Sequence, residues 1–206
     1  MRLIDIVLDC LLGPLIADYH TLTMELVEHC PDALRIRGLT SLDGLIAAGR
    51  YDNTKNMKTL LRRFKFGRAS LLSRPLGKVL ADAINTSTLP RTNDVVLVPV
   101  PLFWARECDR GFNQSALLAN VVSEVTRIPY MELLRRTRHT GRQALRTRRE
   151  RLHALDGAFA CTVQHVPRTI ILIDDLSTTG ATLEECALTL KRHGAKIVLG
   201  AVVAVG

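Results

Sequence analysis

The chain has no apolar run that approaches the ~20 residues needed to cross a bilayer; its longest, Ile197–Gly206, falls far short. That speaks against a membrane-spanning protein. It has no internal repeat and no low-complexity tract. Its five cysteines (10, 30, 108, 161 and 186) are odd in number and widely spaced in a chain of 206 residues, so reduced thiols are expected rather than a disulfide framework. Asp5 and Asp9 interrupt what would have to be the apolar centre of a signal peptide, and no small-residue cleavage site follows. A cytoplasmic location is therefore expected. What is present is ordinary for a globular protein: 47% hydrophobic and 23% charged residues, enough for one α/β domain with room for a small appended subdomain.

The net charge of +8 is unevenly spread. Arg135, Arg136, Arg138, Arg142, Arg146, Arg148, Arg149 and Arg151 face a single acid, Glu150, so this strip carries +7 and the remaining chain only +1. Such a strip is either a solvated surface segment or an attractor of phosphate, on a nucleic-acid backbone or a small polyphosphate. It contains no aromatic residue on which a base could stack, so a sequence-reading nucleic-acid module is not indicated.

Periodicity organises the second half. Val95–Val98 reads as a buried strand stopped at Pro99-Val100-Pro101. A helical stripe follows from Asn113, with Leu118, Val121, Val122 and Val125 on one face. Ile170–Ile173 is a continuous apolar strand running into Asp174-Asp175. Leu183–His193 reads as a helix ended by Gly194, and Ile197–Val205 as a third strand. Strands alternating with helices predict a parallel sheet over residues ~90–206. The first ~90 residues, with helices at Met57–Phe64 and Ser70–Ile84, read as a cap or hood; Gly67 and Asn85–Asn93 mark joints.

The sharpest local signal is the turn after the Ile170–Ile173 strand. Asp174 and Asp175 sit at its carboxyl end, where α/β sheets bind ligands. Ser177, Thr178, Thr179, Gly180, Ala181 and Thr182 then supply small side chains, and a helix begins at once with unpaired N–H groups. A phosphate monoester fits there, with the acids one sugar away on ribose hydroxyls. The structural alternative is a capping box at Thr182-Leu-Glu-Glu185, which leaves the two strand-end carboxylates unexplained.

Leu172–Thr182 closely resembles the ribose-5-phosphate loop of type I phosphoribosyltransferases. Pro99-Val-Pro101, Arg106, Arg110-Gly-Phe-Asn-Gln114, Phe64-Lys-Phe-Gly67, Gln143-Ala-Leu145 and Gly157-Ala-Phe159 together resemble the ComF/GntX branch, from about Leu42 onward. The resemblance implies a parallel sheet flanked by helices, and 5-phosphoribosyl-1-pyrophosphate with Mg²⁺ as ligand. Thr178–Thr182, with Ser177, would cradle the 5-phosphate; Asp174 and Asp175 would bind the ribose; the Pro99–Pro101 loop would face the pyrophosphate. The flanking prolines leave Val100 the one N–H of that loop, expected to point at the ligand. Lys65 has its stem between two phenylalanines and reaches a phosphate, or is an ordinary surface lysine. Arg106 and Arg110 bind pyrophosphate by fork-shaped hydrogen bonds, or serve as caps and ion pairs. The arginine strip lies where the superfamily has a mobile catalytic loop.

The chain departs from the branch in two places. The branch's four-cysteine zinc module is absent: Cys10 and Cys30, with His20 and His29, form no close-spaced pairs, and no zinc is expected. Residues 1–50 are read as a cap replacing that module and 51–206 as the phosphoribosyltransferase-like domain. Arg151-Leu-His153 also departs from the Arg-x-Asn that often precedes Gly-Ala-Phe. Cys186 reads as a buried small apolar residue, and His139 and His153 as solvated. The resemblance implies phosphoribosyl transfer to an unidentified acceptor in connection with natural competence and DNA uptake. The rival readings are a non-catalytic sensor of phosphoribosyl pyrophosphate contacting a competence helicase or recombination mediator, and single-stranded DNA binding through Arg135–Arg151.

Overall fold

A computed structural model describes residues 26–51, 55–66, 70–89, 94–138 and 155–206. Seven strands form among them: β1 Val27–His29, β2 Gly44–Ala47, β3 Val95–Pro99, β4 Leu134–Arg136, β5 Phe159–Cys161, β6 Thr169–Ser177 and β7 Ile197–Val205. The helices are α1 Pro31–Ile36, α2 Lys55–Phe66, α3 Ser73–Thr86 (preceded by a 3₁₀ turn, Ser70–Leu72), α4 Trp104–Arg110, α5 Gln114–Thr126 and α6 Ala181–Arg192.

Five strands make one sheet in the order β1-β2-β7-β6-β3, and β4 and β5 form a separate antiparallel pair. β2, β7, β6 and β3 are mutually parallel, and only the edge strand β1 runs against its neighbour. The expected class, a mostly parallel α/β sheet flanked by helices, is what forms. Consecutive side chains of a strand point to opposite faces, so the unbroken apolar run of β6 feeds two cores. Ile170 and Leu172 pack with α1, α6, β4 and β5; Ile171 and Ile173 pack with α2, α3 and α5. β7 does the same with Val198 and Val202 on one side and Leu199, Ala201 and Val203 on the other. Gly200 interrupts β7 for want of room: a Cβ there would lie 2.9 Å from Leu45 and 3.0 Å from Leu183.

The 50/51 boundary expected from the sequence is corrected by this topology. β2 pairs with the central strand β7 from Gly44↔Leu199 to Ala47↔Val202, and Leu34, Leu39 and Leu42 belong to the core beneath α6. Residues 26–50 are part of the sheet domain, not a cap upon it. Residues 1–25, with Cys10 and His20, and the joint at Gly67 lie outside the described residues, as do residues 90–93 of the second joint. Cys30 is exposed, and among the described residues no three His, Cys, Asp or Glu side chains converge. No helix among them is long and apolar enough to cross a membrane.

Candidate functional site

β6 is longer than its apolar core. It continues through Asp174, Asp175 and Leu176 to Ser177, paired with β7 as far as Ser177↔Val205, so both acids are held in extended backbone at the carboxyl edge of the sheet. Three residues, Thr178, Thr179 and Gly180, then connect to α6. Gly180 is the turning point. Its φ of +80° is costly for any residue with a side chain, and a Cβ there would lie 2.5 Å from Leu39.

The connection leaves its backbone donors open. The N–H groups of Thr178, Thr179, Gly180, Thr182 and Leu183 are paired with no other group among the described residues, and that of Ala181 makes only a long 3.4 Å contact with Thr179 Oγ1. Together with Asp174 and Leu176–Leu183 they line a solvent-open hollow with about 240 Å³ of empty volume. Open amides at the positive end of a helix dipole suit an anion. Ser177, Thr178, Thr179, Gly180, Ala181 and Thr182 are thus brought together as a cradle, Ser177 as the buried last residue of the strand.

Thr182 is no helix cap. The N-cap is Gly180, and the two glutamates reach outward. Glu184 accepts from the backbone of Thr40 (2.9 Å), Ser41 (2.8 Å) and Leu42 (3.3 Å) and from the Thr40 hydroxyl (3.3 Å). Glu185 accepts from Gly157 N at 2.7 Å. The acids that suggested a capping box are tertiary anchors.

Asp174 and Asp175 have different surroundings. Asp175 is buried and pairs with Lys65 Nζ at 2.9 Å. Asp174 Oδ1 accepts from Ser115 Oγ at 2.8 Å and from Asp175 N at 2.9 Å. Burial, and next the adjacent Asp175, push its carboxyl up to about 6, with Lys65 and the two hydrogen bonds opposing. Lys65 is therefore drawn to the site, tied to a carboxylate rather than pointing at open solvent.

Val100 is corrected. Its N–H donates to Ile173 O at 3.0 Å, continuing the β3–β6 ladder beyond Pro99. Its carbonyl accepts from Asn113 Nδ2 at 3.1 Å, and Asn113 Oδ1 in turn caps α5 through Ser115 N. The prolines remove competing donors, but the sheet takes the one that remains.

Arg106 and Arg110 lie one turn apart on α4. Arg110 feels Asp175, Arg106, Asp109 and Asp174, and burial lowers its pKa first of all; its Nη1 donates to Gln114 Oε1 at 2.9 Å. Arg136, one of the arginine strip, is the member whose inward placement the sequence did not single out. Its guanidinium lies 5.3 Å from the centre of the Phe159 ring across the β4–β5 pair. Burial lowers its pKa, with Arg106 next, while Cys186 and Asp174 oppose. The arginine strip thus divides: Arg136 turns inward, Arg135 and Arg138 are exposed, and Arg142–Arg151, with His139 and His153, lie outside the described residues. No one-dimensional signal separates Arg136 from Arg135; the alternation of β4 does, and β4 is too short to show it. Cys186 is fully buried beneath the site. Lys65 and Arg110 feel both acids or pair with them, Arg136 feels Asp174, and Arg106 lies beside Arg110 and Arg136, with the exposed Asp109 near Arg110.

Fold and site define a mostly parallel α/β protein whose open amides and paired acids lie together at the carboxyl end of β6. No family model matches the chain. It is 31% identical over 175 residues to competence protein F of Haemophilus influenzae, spanning 81% of this chain and 74% of that protein. It is 35% identical over 152 residues to the DNA utilization protein YhgH of Escherichia coli K12 (71% and 66%). To competence protein ComFC of Bacillus subtilis the identity is 36% over 148 residues (70% and 57%). The chain belongs to the ComF family of competence-associated proteins. Among solved structures it is similar to the allosteric regulatory enzyme of purine biosynthesis, at 23% identity and a TM-score of 0.42 over 66% of this chain and 26% of that one. A second is the glutamine phosphoribosylpyrophosphate amidotransferase of B. subtilis, at 22% and 0.42 with the same coverage.

Proposed function

We propose that this protein binds 5-phosphoribosyl-1-pyrophosphate with Mg²⁺ and serves displacement of pyrophosphate at the anomeric carbon, in connection with DNA uptake. The observation that carries the reading is the set of open amides at Thr178, Thr179, Gly180, Thr182 and Leu183, in a hollow that Asp174 also lines. The cradle holds the 5-phosphate. Asp174 and Asp175 hold the ribose hydroxyls, Lys65 neutralising Asp175 until a ligand arrives. Arg106, Arg110 and Arg136 hold the diphosphate, whose planar oxygen pairs match guanidinium forks. The names of the relatives, competence protein F and DNA utilization protein, support the connection with DNA uptake.

The donor set suits Mg²⁺. This ion keeps several waters and takes one or two carboxylates plus ligand phosphates, and Asp174 is a hard oxygen donor whose ionised form is opposed by its neighbour. Asp174 and Asp175 would hold it; when bound it offsets charge on the leaving group. The protein's own part is electrostatic. The arginines on the diphosphate stabilise the pair of electrons that departs with pyrophosphate as the acceptor's lone pair forms the new bond at carbon, while the amides hold the 5-phosphate in place. The acceptor's proton passes to solvent, and neither acid needs to act as a base.

Calorimetry tests the ligand. Binding of phosphoribosyl pyrophosphate with Mg²⁺ is expected for the wild type, and weakening by at least ~10-fold for Asp174→Asn/Asp175→Asn, about 1.4 kcal/mol or more. Unchanged affinity would refute the site. Pyrophosphate release across a panel of nucleophiles tests turnover; silence on all of them with binding intact identifies a sensor instead.

A further inference from the structure

Gln114 opens α5 and is 2% exposed. Its carboxamide has two ends of opposite character. Arg110 Nη1 approaches one of them at 2.9 Å. A guanidinium only donates, so that end is the oxygen and the other is the NH₂. The Nε2 so fixed is buried and meets no acceptor among the described residues. Leaving a buried donor unmade is costly, and methionine of similar length would fill the same space without that cost. The flanking contacts say what the donor is for. Arg110 feels both Asp174 and Asp175, and Ser115, the next residue, donates to Asp174 at 2.8 Å. The orphan donor therefore belongs to the arginine side of the site, outside the lining of the Thr178–Thr182 cradle.

We infer that Gln114 is a ligand-contacting residue: its Nε2 donates to an anionic oxygen of the diphosphate portion of the bound ligand, while its Oε1 holds the Arg110 guanidinium in place. A neutral donor between an arginine and an acid reads the oxygen without adding charge. The inference rests on the phosphoribosyl-pyrophosphate reading for the identity of the ligand, but not for the chemistry of the contact, which any diphosphate can supply.

Two substitutions separate the two ends of the side chain. Gln114→Glu keeps an acceptor for Arg110 and replaces the donor with a second acceptor; Gln114→Met removes both. Affinities for Mg²⁺–phosphoribosyl pyrophosphate, Mg²⁺–pyrophosphate and ribose 5-phosphate are measured by calorimetry. The side-chain NH₂ resonance of Gln114, assigned by its loss in Gln114→Glu, is followed in ¹⁵N-labelled wild type. Loss of ~10-fold or more is expected for both variants with the two diphosphate ligands, with ribose 5-phosphate affinity unchanged and the NH₂ resonance shifting on addition of Mg²⁺–pyrophosphate. If Gln114→Glu binds like wild type while Gln114→Met falls, the residue only positions Arg110 and the contact is overturned. If both bind like wild type, the whole inference fails while the cradle reading stands. A shift of the amide by Mg²⁺–pyrophosphate with affinities insensitive to Asp174→Asn/Asp175→Asn supports the contact and sinks the ribose assignment. Absence of binding by any of the three ligands overturns both.

Discussion

Two adjacent aspartates read alike in the sequence and have different surroundings in the fold. Asp174 carries a carboxyl pushed up to about 6, by burial and then by Asp175. A raised carboxyl binds more protons folded than unfolded between its ordinary value of ~3.8 and 6, so it opposes folding as pH rises through that window. Asp174→Asn is expected to stabilise the ligand-free protein by about 1–3 kcal/mol above pH 6 and to lose that gain by pH 4, measured by urea midpoints across pH. Asp175 has a cationic partner instead. Its buried pair with Lys65 at 2.9 Å means that Asp175→Asn strands an ammonium, and a loss of about 1–3 kcal/mol at neutral pH is expected, less than for a fully buried pair because Lys65 keeps some solvent. The motif named both acids as site residues, yet nothing in one dimension told which had a cationic partner, since Lys65 is 110 positions away. Val100 failed in the same way: local composition showed a lone N–H, and the sheet partner that uses it lies in β6.

At the scale of elements, α6 joins the cradle to the rest of the molecule. Gly180→Ala is expected to cost about 1–3 kcal/mol, from the positive φ and the collision with Leu39, and to abolish ligand binding in calorimetry as the loop shifts. Glu184→Ala removes the acceptor of three backbone N–H groups in residues 40–42; a loss of about 2–3 kcal/mol in chemical denaturation is expected, with Glu184→Gln losing less. The long periodic elements, α2, α3, α5, α6, β3, β6 and β7, were legible because each repeats its pattern over several residues. β1, β2, β4 and β5 were not, because three or four residues carry too little alternation. The roles of Glu184 and Glu185 were hidden for a further reason: their partners are 142–144 and 28 residues distant, and a local capping motif describes the same letters.

Across the whole molecule, the mostly parallel α/β class followed from the alternation of strands and helices in residues 90–206, whereas the pairing of β2 with β7 did not. A separable cap would come away cleanly. Removal of residues 1–50 is expected instead to leave β7 without its β2 neighbour and the α6 core without Leu34, Leu39 and Leu42, giving a chain without native-like dispersion in proton NMR. The crowd of cations beside the cradle has a practical corollary. Repulsion of Arg106 by Arg110 and by Arg136 is expected to make the ligand-free protein receptive to small multivalent oxyanions, which would raise its melting temperature with the logarithm of their concentration. Phosphate or sulfate carried through purification would compete with the proposed phosphoribosyl pyrophosphate ligand and mask its affinity, so titrations belong in a chloride medium buffered by a zwitterion.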